Sequence, residues 1–198
     1  QASFLGYLWT LLRPLAIFAI LYVVFAKFIR LGEGIPYYAI YLLLGIVFWG
    51  FFSELTGQGL SSIVAKAPLL CRINFPRYVV VLAVGSSVTI SFVLNMVVIA
   101  IFMIASQVPA GVEVLWILLL FLQLGTLSVA VALFLSALYV RFRDMDYIWQ
   151  VFMQAAFYAT PILYPISLVP ERWARILALN PMAQIIQDAR EVLVTTET

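Results

Sequence analysis

The stretch YVVVLAVGSSVTISFVLNMVVIAIFMIASQVPAGV, residues 78–112, is the longest uncharged segment of this chain, at 35 residues. It lies between Arg77 and Glu113. An α-helix needs about 20 predominantly apolar residues to cross the hydrocarbon of a bilayer, which is about 30 Å thick. The stretch therefore predicts a membrane-spanning helix over 78–106, followed by a break at QVPAG (107–111).

The composition of the whole chain supports a membrane location. Hydrophobic residues make up 65% of the 198 residues and charged residues only 10%, against about 45–50% and about 25% in soluble domains. A water-soluble fold of this size cannot bury so much apolar surface, because a large part of any folded surface faces the solvent. The sequence therefore predicts an all-α membrane protein with a single transmembrane domain over residues 1–198.

The remaining uncharged runs predict further spans, about five in total. The last span is irregular because it contains Pro161, which removes a backbone hydrogen bond and bends or ends a helix. Residues 171–194 are amphipathic and interrupted by Asn180-Pro181, so they predict two short interfacial or re-entrant helices, with a surface loop as the alternative. The predicted spans cover approximately residues 7–29, 37–62, 78–106, 114–140 and 147–166.

Basic residues in the short loops predict the orientation, because cytoplasmic loops carry an excess of Lys and Arg. These residues concentrate in KAPLLCRINFPR (66–77) and RFRDMD (141–146), which we therefore place on the cytoplasmic side. Asp144 and Asp146 lie beside two arginines of the second loop. We expect a salt-bridged loop there, not a catalytic pair of carboxylates.

The residues that the chain lacks exclude several classes of site. There is no His and only one cysteine, Cys71, which excludes a histidine-based triad, a His-ligated zinc site and an internal disulfide. No GxxxxGK[ST] stretch is present, so the chain has no P-loop to bind ATP phosphates. A net charge of +2 is too small to indicate a nucleic-acid partner. We predict no catalytic residue, no metal site and no cofactor within this chain.

Polar side chains within the spans mark helix contacts or an aqueous path, because unpaired polar groups are costly in hydrocarbon. Gln150, Gln154 and Tyr158 share one face of the fifth span. These bulky side chains are poorly suited to close helix packing, so a role in lining a path is open beside a role in packing. Glu54 either pairs with a basic loop residue or faces an aqueous path. Small residues at every fourth position of the third and fourth spans favour close helix packing, with a substrate-facing role as the alternative. These two stripes are Ser87, Ser91 and Asn95, and Ser128, Ala132 and Ser136.

Five stretches of the chain together resemble the permease subunit of type-2 ABC exporters, and most closely the group that exports polysaccharides. Each stretch alone is a weak signal, whereas the five in this order cover nearly the whole chain. The stretches are FLGYLWTLLRPL (4–15), INFPR (73–77), RFRDMDYIWQ (141–150), YATPILYPISLVP (158–170) and LNPMAQIIQDAR (179–190).

The resemblance implies a multi-pass protein of the bacterial cytoplasmic (inner) membrane, surrounded by membrane lipids. It implies six transmembrane helices in a complete permease, so we expect this chain to be truncated at both ends. It also implies a homodimer of permeases and two separate ATP-binding subunits, which would hold the ATP and Mg. The implied substrate is a lipid-linked glycan: O-antigen, capsule or teichoic acid.

Three groups of residues receive roles from the resemblance. The ATPase-coupling loops would contain Lys66, Arg72, Phe75, Pro76, Arg77, Arg141, Arg143 and Asp144. A channel with aromatic lining would contain Trp49 together with Glu54, Gln150, Gln154 and Tyr158. The outer gate would contain Pro161, Pro165, Pro170, Asn180 and Pro181.

Other functions remain open from the sequence. The permease of an ABC drug or lipid exporter would have the same architecture, although the proline-rich outer segment and the RFRDMD loop favour a polysaccharide. An ion-coupled secondary transporter would be expected to show inverted repeats and more intramembrane charges. A membrane-embedded enzyme of lipid or sugar transfer would need a catalytic pair of carboxylates, for which only Asp144 and Asp146 are available.

Overall fold

A computed structural model of the chain describes residues 4–30, 35–70, 76–108, 111 and 115–194. All regular structure within these residues is helical, which confirms the predicted class of fold. The helices are α1 (Phe4–Tyr22, continued by a π-helical segment Val23–Phe28), α2 (Tyr38–Ala65), α3 (Ala67–Leu70), α4 (Tyr78–Ala105), α5 (Trp116–Arg141), α6 (Met145–Ala159), α7 (Glu171–Leu177) and α8 (Pro181–Val194).

Four of the described helices are long and apolar enough to cross a membrane, and they correspond to the first four predicted spans. They cover Trp9–Phe28, Tyr38–Ala65, Tyr78–Ala105 and Trp116–Arg141. Their outward faces are apolar, with Ile104 and Leu118 78% and 73% exposed, respectively. Such faces suit contact with lipid acyl chains, so the chain is a membrane protein.

The predicted fifth span differs from a continuous transmembrane helix. α6 has 15 residues and is about 22 Å long at 1.5 Å per residue, which is less than the thickness of the hydrocarbon layer. It ends at Ala159, and Thr160 has extended backbone angles (φ −82°, ψ 138°). The ring of Pro161 disfavours helical angles in the residue before it. The helix therefore ends before Pro161 and does not continue as a bent helix to residue 166.

α2 lies at the centre of the bundle, with 78% of its most apolar 18-residue window buried, against 6% for α1. Phe51 of α2 packs against Phe92 of α4 and Phe121 of α5, with ring centroids 5.0 and 5.6 Å apart. Such aromatic pairs stabilise a packed interior beyond the burial of their area. This central position brings the polar residues of α2 close to several other helices.

α2 and α6 are antiparallel. Thr56 pairs with Trp149 near the start of α6, whereas Trp49 pairs with Phe157 near its end. The end of α2 at Ala65 therefore lies at the same end of the bundle as the start of α6. By the predicted orientation this is the cytoplasmic end, so Tyr38 of α2 lies at the outer end.

The predicted outer segment 171–194 forms two short helices, α7 and α8, with a break at residues 178–180. Asn180 begins α8, because its Oδ1 accepts a hydrogen bond from the backbone N–H of Met182 at 3.0 Å. α8 packs against α2 and α5 and buries one face. That face repeats every four residues, through Met182, Ile186, Arg190 and Val194.

Candidate functional site

A cavity of about 990 Å³ lies between α1, α2, α4 and α6. Its walls combine aromatic rings with charged and amide side chains, unlike the apolar lipid-facing surfaces. The aromatic residues are Trp9, Trp49, Phe51, Phe92, Trp149, Phe157 and Tyr158. The charged and amide residues are Arg13, Glu54, Gln58, Asn95, Gln150 and Gln154.

The structure brings all five sequence-predicted lining residues to this one cavity. Gln150, Gln154 and Tyr158 follow each other at four-residue intervals along α6. Trp49 and Glu54 reach the cavity from α2. The two groups therefore line the same space from two different helices. Their role in transport stays a prediction.

Glu54 has a different partner from the basic loop residue that we considered. Nε2 of Gln58, one helical turn along α2, donates a hydrogen bond to Oε1 of Glu54 at 2.9 Å. The guanidinium of Arg13 on α1 interacts electrostatically with the Glu54 carboxylate. Arg13 also lines the cavity, so a basic and an acidic side chain from two transmembrane helices face the same polar space.

Asn95 connects α4 to α1 at the cavity wall. Its Nδ2 donates to the carbonyl of Ser91 at 2.8 Å and to the carbonyl of Thr10 at 3.4 Å. Pro14, four residues after Thr10, has no backbone N–H to donate to that carbonyl. The Asn95 amide therefore supplies a donor where the proline has removed one.

The small-residue stripes have different environments in the two helices. On α5, Ser128, Ala132 and Ser136 are fully buried, which confirms the predicted close packing. On α4, Ser87 is exposed and Ser91 lines the cavity. The stripe on α4 is therefore part of the cavity wall, and it is not a close helix contact along its whole length.

Trp149 connects the start of α6 to α2. Its indole Nε1 donates to Oγ1 of Thr56 at 3.2 Å, and that hydroxyl in turn donates to the carbonyl of Phe52 at 2.7 Å. A Trp ring packs well when its N–H has a partner. These bonds hold an aromatic face of α6 toward the cavity.

The predicted gate residues lie in and around the connection between α6 and α8. Pro161 is buried directly after α6, and Pro165 and Pro170 precede the 3₁₀ turn Ile166–Leu168 and α7, respectively. Pro181 is the first residue of α8. Nδ2 of Asn180 donates to Oγ1 of Thr160 at 3.2 Å, which ties the start of α8 to the end of α6. Their part in gating stays a prediction.

Arg190 is the residue that sequence analysis missed. It lies in the stretch 171–194, for which only short interfacial or re-entrant helices were predicted, and it is only 2% exposed. Its Nε donates to the carbonyl of Tyr41 at 3.2 Å, and Nη1 and Nη2 donate to the carbonyls of Pro161 and Ile162 at 2.7 Å each. Burial lowers the pKa of Arg190 to about 10, so the guanidinium is charged at neutral pH. The apolar four-residue repeat of α8 was the available signal.

Six of the eight predicted coupling residues are described, and they lie at the end of the bundle that contains Ala65 and Met145. Arg72 and Phe75 lie outside the described residues, and the other predicted coupling residues are exposed. They are Lys66, Pro76, Arg77, Arg141, Arg143 and Asp144.

The expected salt-bridged loop is not what the described residues 141–146 show. The guanidinium of Arg141 lies over the ring of Phe142 at 5.7 Å, and that of Arg143 lies over the ring of Tyr139 at 5.4 Å. Asp146 lies in the first turn of α6, where the positive end of the helix dipole favours a carboxylate. Aromatic rings and a helix end therefore take the place of ion pairs.

Comparison with known proteins places the chain in a family. Residues 1–194 match the family model described as ABC-2 type transporter. The O-antigen export system permease protein RfbA of Myxococcus xanthus is 33% identical over 189 residues, which cover 94% of this chain and 72% of the relative.

Two further relatives have similar coverage. An RfbA of Klebsiella pneumoniae is 29% identical and covers 97% of this chain and 74% of its own length. The polysialic acid transport protein KpsM of Escherichia coli is 20% identical, and the match covers 96% of this chain and 74% of KpsM. The family match extends over all the described helices, including those around the cavity. This chain therefore belongs to the ABC-2 type transporter family.

Proposed function

We propose that the chain is the transmembrane permease of an ATP-driven exporter that moves a lipid-linked polysaccharide across the bacterial cytoplasmic membrane. The observation that carries the proposal is the cavity, which combines aromatic and amide side chains within a bundle of transmembrane helices. The relatives named for O-antigen export and polysialic acid transport support the same class of substrate.

The lining of the cavity suits a sugar chain. Aromatic faces such as those of Trp49 and Trp149 pack against the apolar C–H surfaces of sugar rings. The amides of Gln150 and Gln154 offer both donors and acceptors to sugar hydroxyls. The two charges of the lining, on Arg13 and Glu54, have opposite signs. A lining with little net charge lets a hydroxyl-rich polymer slide instead of binding it tightly at one point.

The energy for transport would come from a partner. The sequence has no P-loop, so ATP and Mg would be bound by two separate ATP-binding subunits. The exposed basic and proline-bounded segments at the Ala65 end of the bundle offer a docking surface for them. The predicted contacts are Lys66, Arg72, Phe75, Pro76, Arg77, Arg141, Arg143 and Asp144.

A second permease would complete the pathway. α6 is too short to cross the membrane alone, and its outer surface exposes large side chains, among them Tyr147, Val151 and Tyr158. Tyr158 belongs both to this surface and to the cavity. A homodimer that pairs two such surfaces would join two cavities into one channel between the subunits.

The proposal predicts that the α6 amides are needed for export. Replacing both Gln150 and Gln154 by Leu removes hydrogen bonds worth about 1 kcal/mol each, so polysaccharide export should fall about tenfold or more. Export is measured as surface polysaccharide in cells whose own permease gene is deleted. The amount of permease in the membrane and its co-purification with the ATP-binding subunit should be unchanged.

Gln123→Leu is the matched control, because Gln123 is exposed on α5 and does not line the cavity. It should leave export unchanged. Full export by the Gln150/Gln154 double variant would assign these amides to helix packing. Loss of a small-molecule or lipid export activity, with no effect on polysaccharide, would favour a drug or lipid exporter instead.

A further inference from the structure

The connection after α6 is held by side chains of neighbouring helices. Four consecutive carbonyls, those of residues 161–164, each accept a hydrogen bond from α2 or α8. Arg190 donates to the first two, the hydroxyl of Tyr38 donates to the third at 3.0 Å, and the hydroxyl of Tyr41 donates to the fourth at 3.4 Å. A non-helical segment beside the hydrocarbon needs such donors, because its own backbone does not satisfy these carbonyls.

Arg190 binds three elements at once. Its guanidinium contacts α2 through the carbonyl of Tyr41 and the connection through Pro161 and Ile162, while its backbone belongs to α8. The guanidinium carbon also lies 3.5 Å from the centroid of the Tyr41 ring. A buried cation is costly without partners. Here its hydrogen-bond partners are neutral carbonyls, and two of the three belong to the connection, so the charge is best stabilised while the connection lies against α2.

Gly45 leaves the space that this arrangement needs. A Cβ atom at Gly45 would lie 2.7 Å from Nη2 of Arg190 and 3.1 Å from Cγ2 of Ile162. Any larger residue would therefore displace the guanidinium or the connection from α2. Glycine is needed here for space and not because of the charge on Arg190. A substitution at Gly45 therefore tests the same contact independently.

The contact lies at the outer boundary of the cavity. Ile46, the residue after Gly45, lines the cavity on α2, and Tyr158 lines it on the last turn of α6. The hydroxyl of Tyr164 donates to the carbonyl of Tyr158 at 3.3 Å, so the connection folds back over the end of α6. Residues 161–164 therefore adjoin the cavity at the outer ends of α2 and α6.

We infer that Arg190 is a positioning residue for export, which holds the connection 161–164 against α2 and so keeps the outer mouth of the cavity closed between transport steps. This role rests on the proposed function, which takes the cavity as part of the path of the polysaccharide. The contact itself can be tested without any glycan substrate. Arg190 acts through the backbone of the connection and is not assigned a contact with the substrate.

The first test measures access to the connection from outside. Leu163, which is 4% exposed, is replaced by Cys in a Cys71→Ser background, and the assembled complex in intact cells is treated with a membrane-impermeant maleimide. With Arg190 intact, Leu163→Cys should react slowly. Adding Arg190→Gln should raise the labelling rate at least tenfold, and Arg190→Lys should give a smaller increase because an ammonium lacks the planar fork of donors.

Glu191→Gln is the matched control, since Glu191 is the exposed neighbour of Arg190 on α8. This substitution also replaces a charged group by an amide. It should leave the labelling rate unchanged. An equally slow rate in Arg190→Gln, with the complex assembled, would overturn the inference. If Arg190→Gln does not accumulate, Gly45→Ala decides: faster labelling supports the contact, and an unchanged rate contradicts it.

The second test separates positioning from general stability. The purified complex with Arg190→Gln should keep ATP hydrolysis within about twofold of the unsubstituted chain, while polysaccharide exported per ATP falls at least fivefold. Parallel losses of both activities would show a structural role only and would overturn the inference. Failure of the unsubstituted chain to export any polysaccharide would refute the proposed function, whereas the labelling result would stand on its own.

Discussion

One missing side chain sets how closely α2 and α5 approach. A Cβ atom at Gly59 would lie 2.7 Å from Cβ of Ala132, whereas the same atom at Gly125 would have no neighbour within 4 Å. Both glycines lie within transmembrane helices, and each lowers the stability of its helix because glycine loses more conformational freedom on folding than other residues. Only Gly59 is required by packing, because small residues let two helix backbones come together.

Gly59→Ala should lower the free energy of unfolding by about 1–3 kcal/mol, the usual cost of overpacking a filled interior. The measurement is the thermal midpoint of the detergent-solubilised protein. Ala132→Gly in the same chain restores the space, so the double variant should be more stable than Gly59→Ala alone.

Gly125→Ala is the control for this pair. It should leave the midpoint unchanged or raise it slightly, since Gly125 is half-buried with open space for a Cβ, and replacing a helical glycine by Ala gains up to about 1 kcal/mol. Equal effects at Gly59 and Gly125 would show that the close approach of α2 and α5 contributes little to stability.

At the scale of the helix, α1 is attached weakly to the rest of the bundle, with 6% of its apolar window buried. Its contacts include the bond from Asn95 to the carbonyl of Thr10 at 3.4 Å, one turn before Pro14. The proline and the asparagine therefore form a compensating pair, in which a side chain of α4 replaces a backbone donor of α1.

Asn95→Leu should cost about 1 kcal/mol in an otherwise unchanged chain, because it removes a hydrogen bond to the partly buried carbonyl of Thr10. In a Pro14→Ala background the cost should be smaller, since residue 14 then offers its own N–H to Thr10. A double-mutant cycle on unfolding free energies should give a coupling of at least about 0.5 kcal/mol.

Ser86→Ala provides the comparison for this cycle. Ser86 also makes a side-chain to backbone bond on α4, to the carbonyl of Leu82 at 3.0 Å, but it is exposed. Its effect should be additive with Pro14→Ala. If the effects of Asn95→Leu and Pro14→Ala are also additive, the bond from the Asn95 amide to the Thr10 carbonyl does not compensate for the proline.

At the scale of the whole molecule, the antiparallel pairing of α2 and α6 places the charged loop 141–146 and the connection 161–164 at opposite ends of the bundle. α6 alone is too short to cross the membrane. We expect the non-helical connection to complete the crossing. Its carbonyls accept hydrogen bonds from side chains of α2 and α8.

This arrangement predicts that Phe142 and Trp173, both exposed, lie on opposite sides of the membrane. In a Cys71→Ser background, Phe142→Cys should react with an impermeant maleimide only in inside-out vesicles, and Trp173→Cys only in intact cells. The excess of Lys and Arg in the loops sets the direction. Labelling of both positions from one side would show that α6 and its connection turn back without crossing.

The sequence by itself determined that the chain is a membrane protein, where its first four spans lie, and that it carries no P-loop. Apolar run length is a local property, and the thickness of the bilayer turns it directly into a helix. The four-residue spacing on α6 also placed Gln150, Gln154 and Tyr158 on one face, because helix geometry alone determines which residues share a face.

Only the tertiary structure decided which polar groups meet. Tyr41 and Arg190 are 149 residues apart, and Thr56 and Trp149 are 93 residues apart, so no local pattern connects them. Periodicity shows that Arg190 lies on the buried face of α8, but a buried charge is stable only if donors and acceptors from other elements surround it. Those partners come from the packing of α2, α6 and α8, which is a property of the assembled fold.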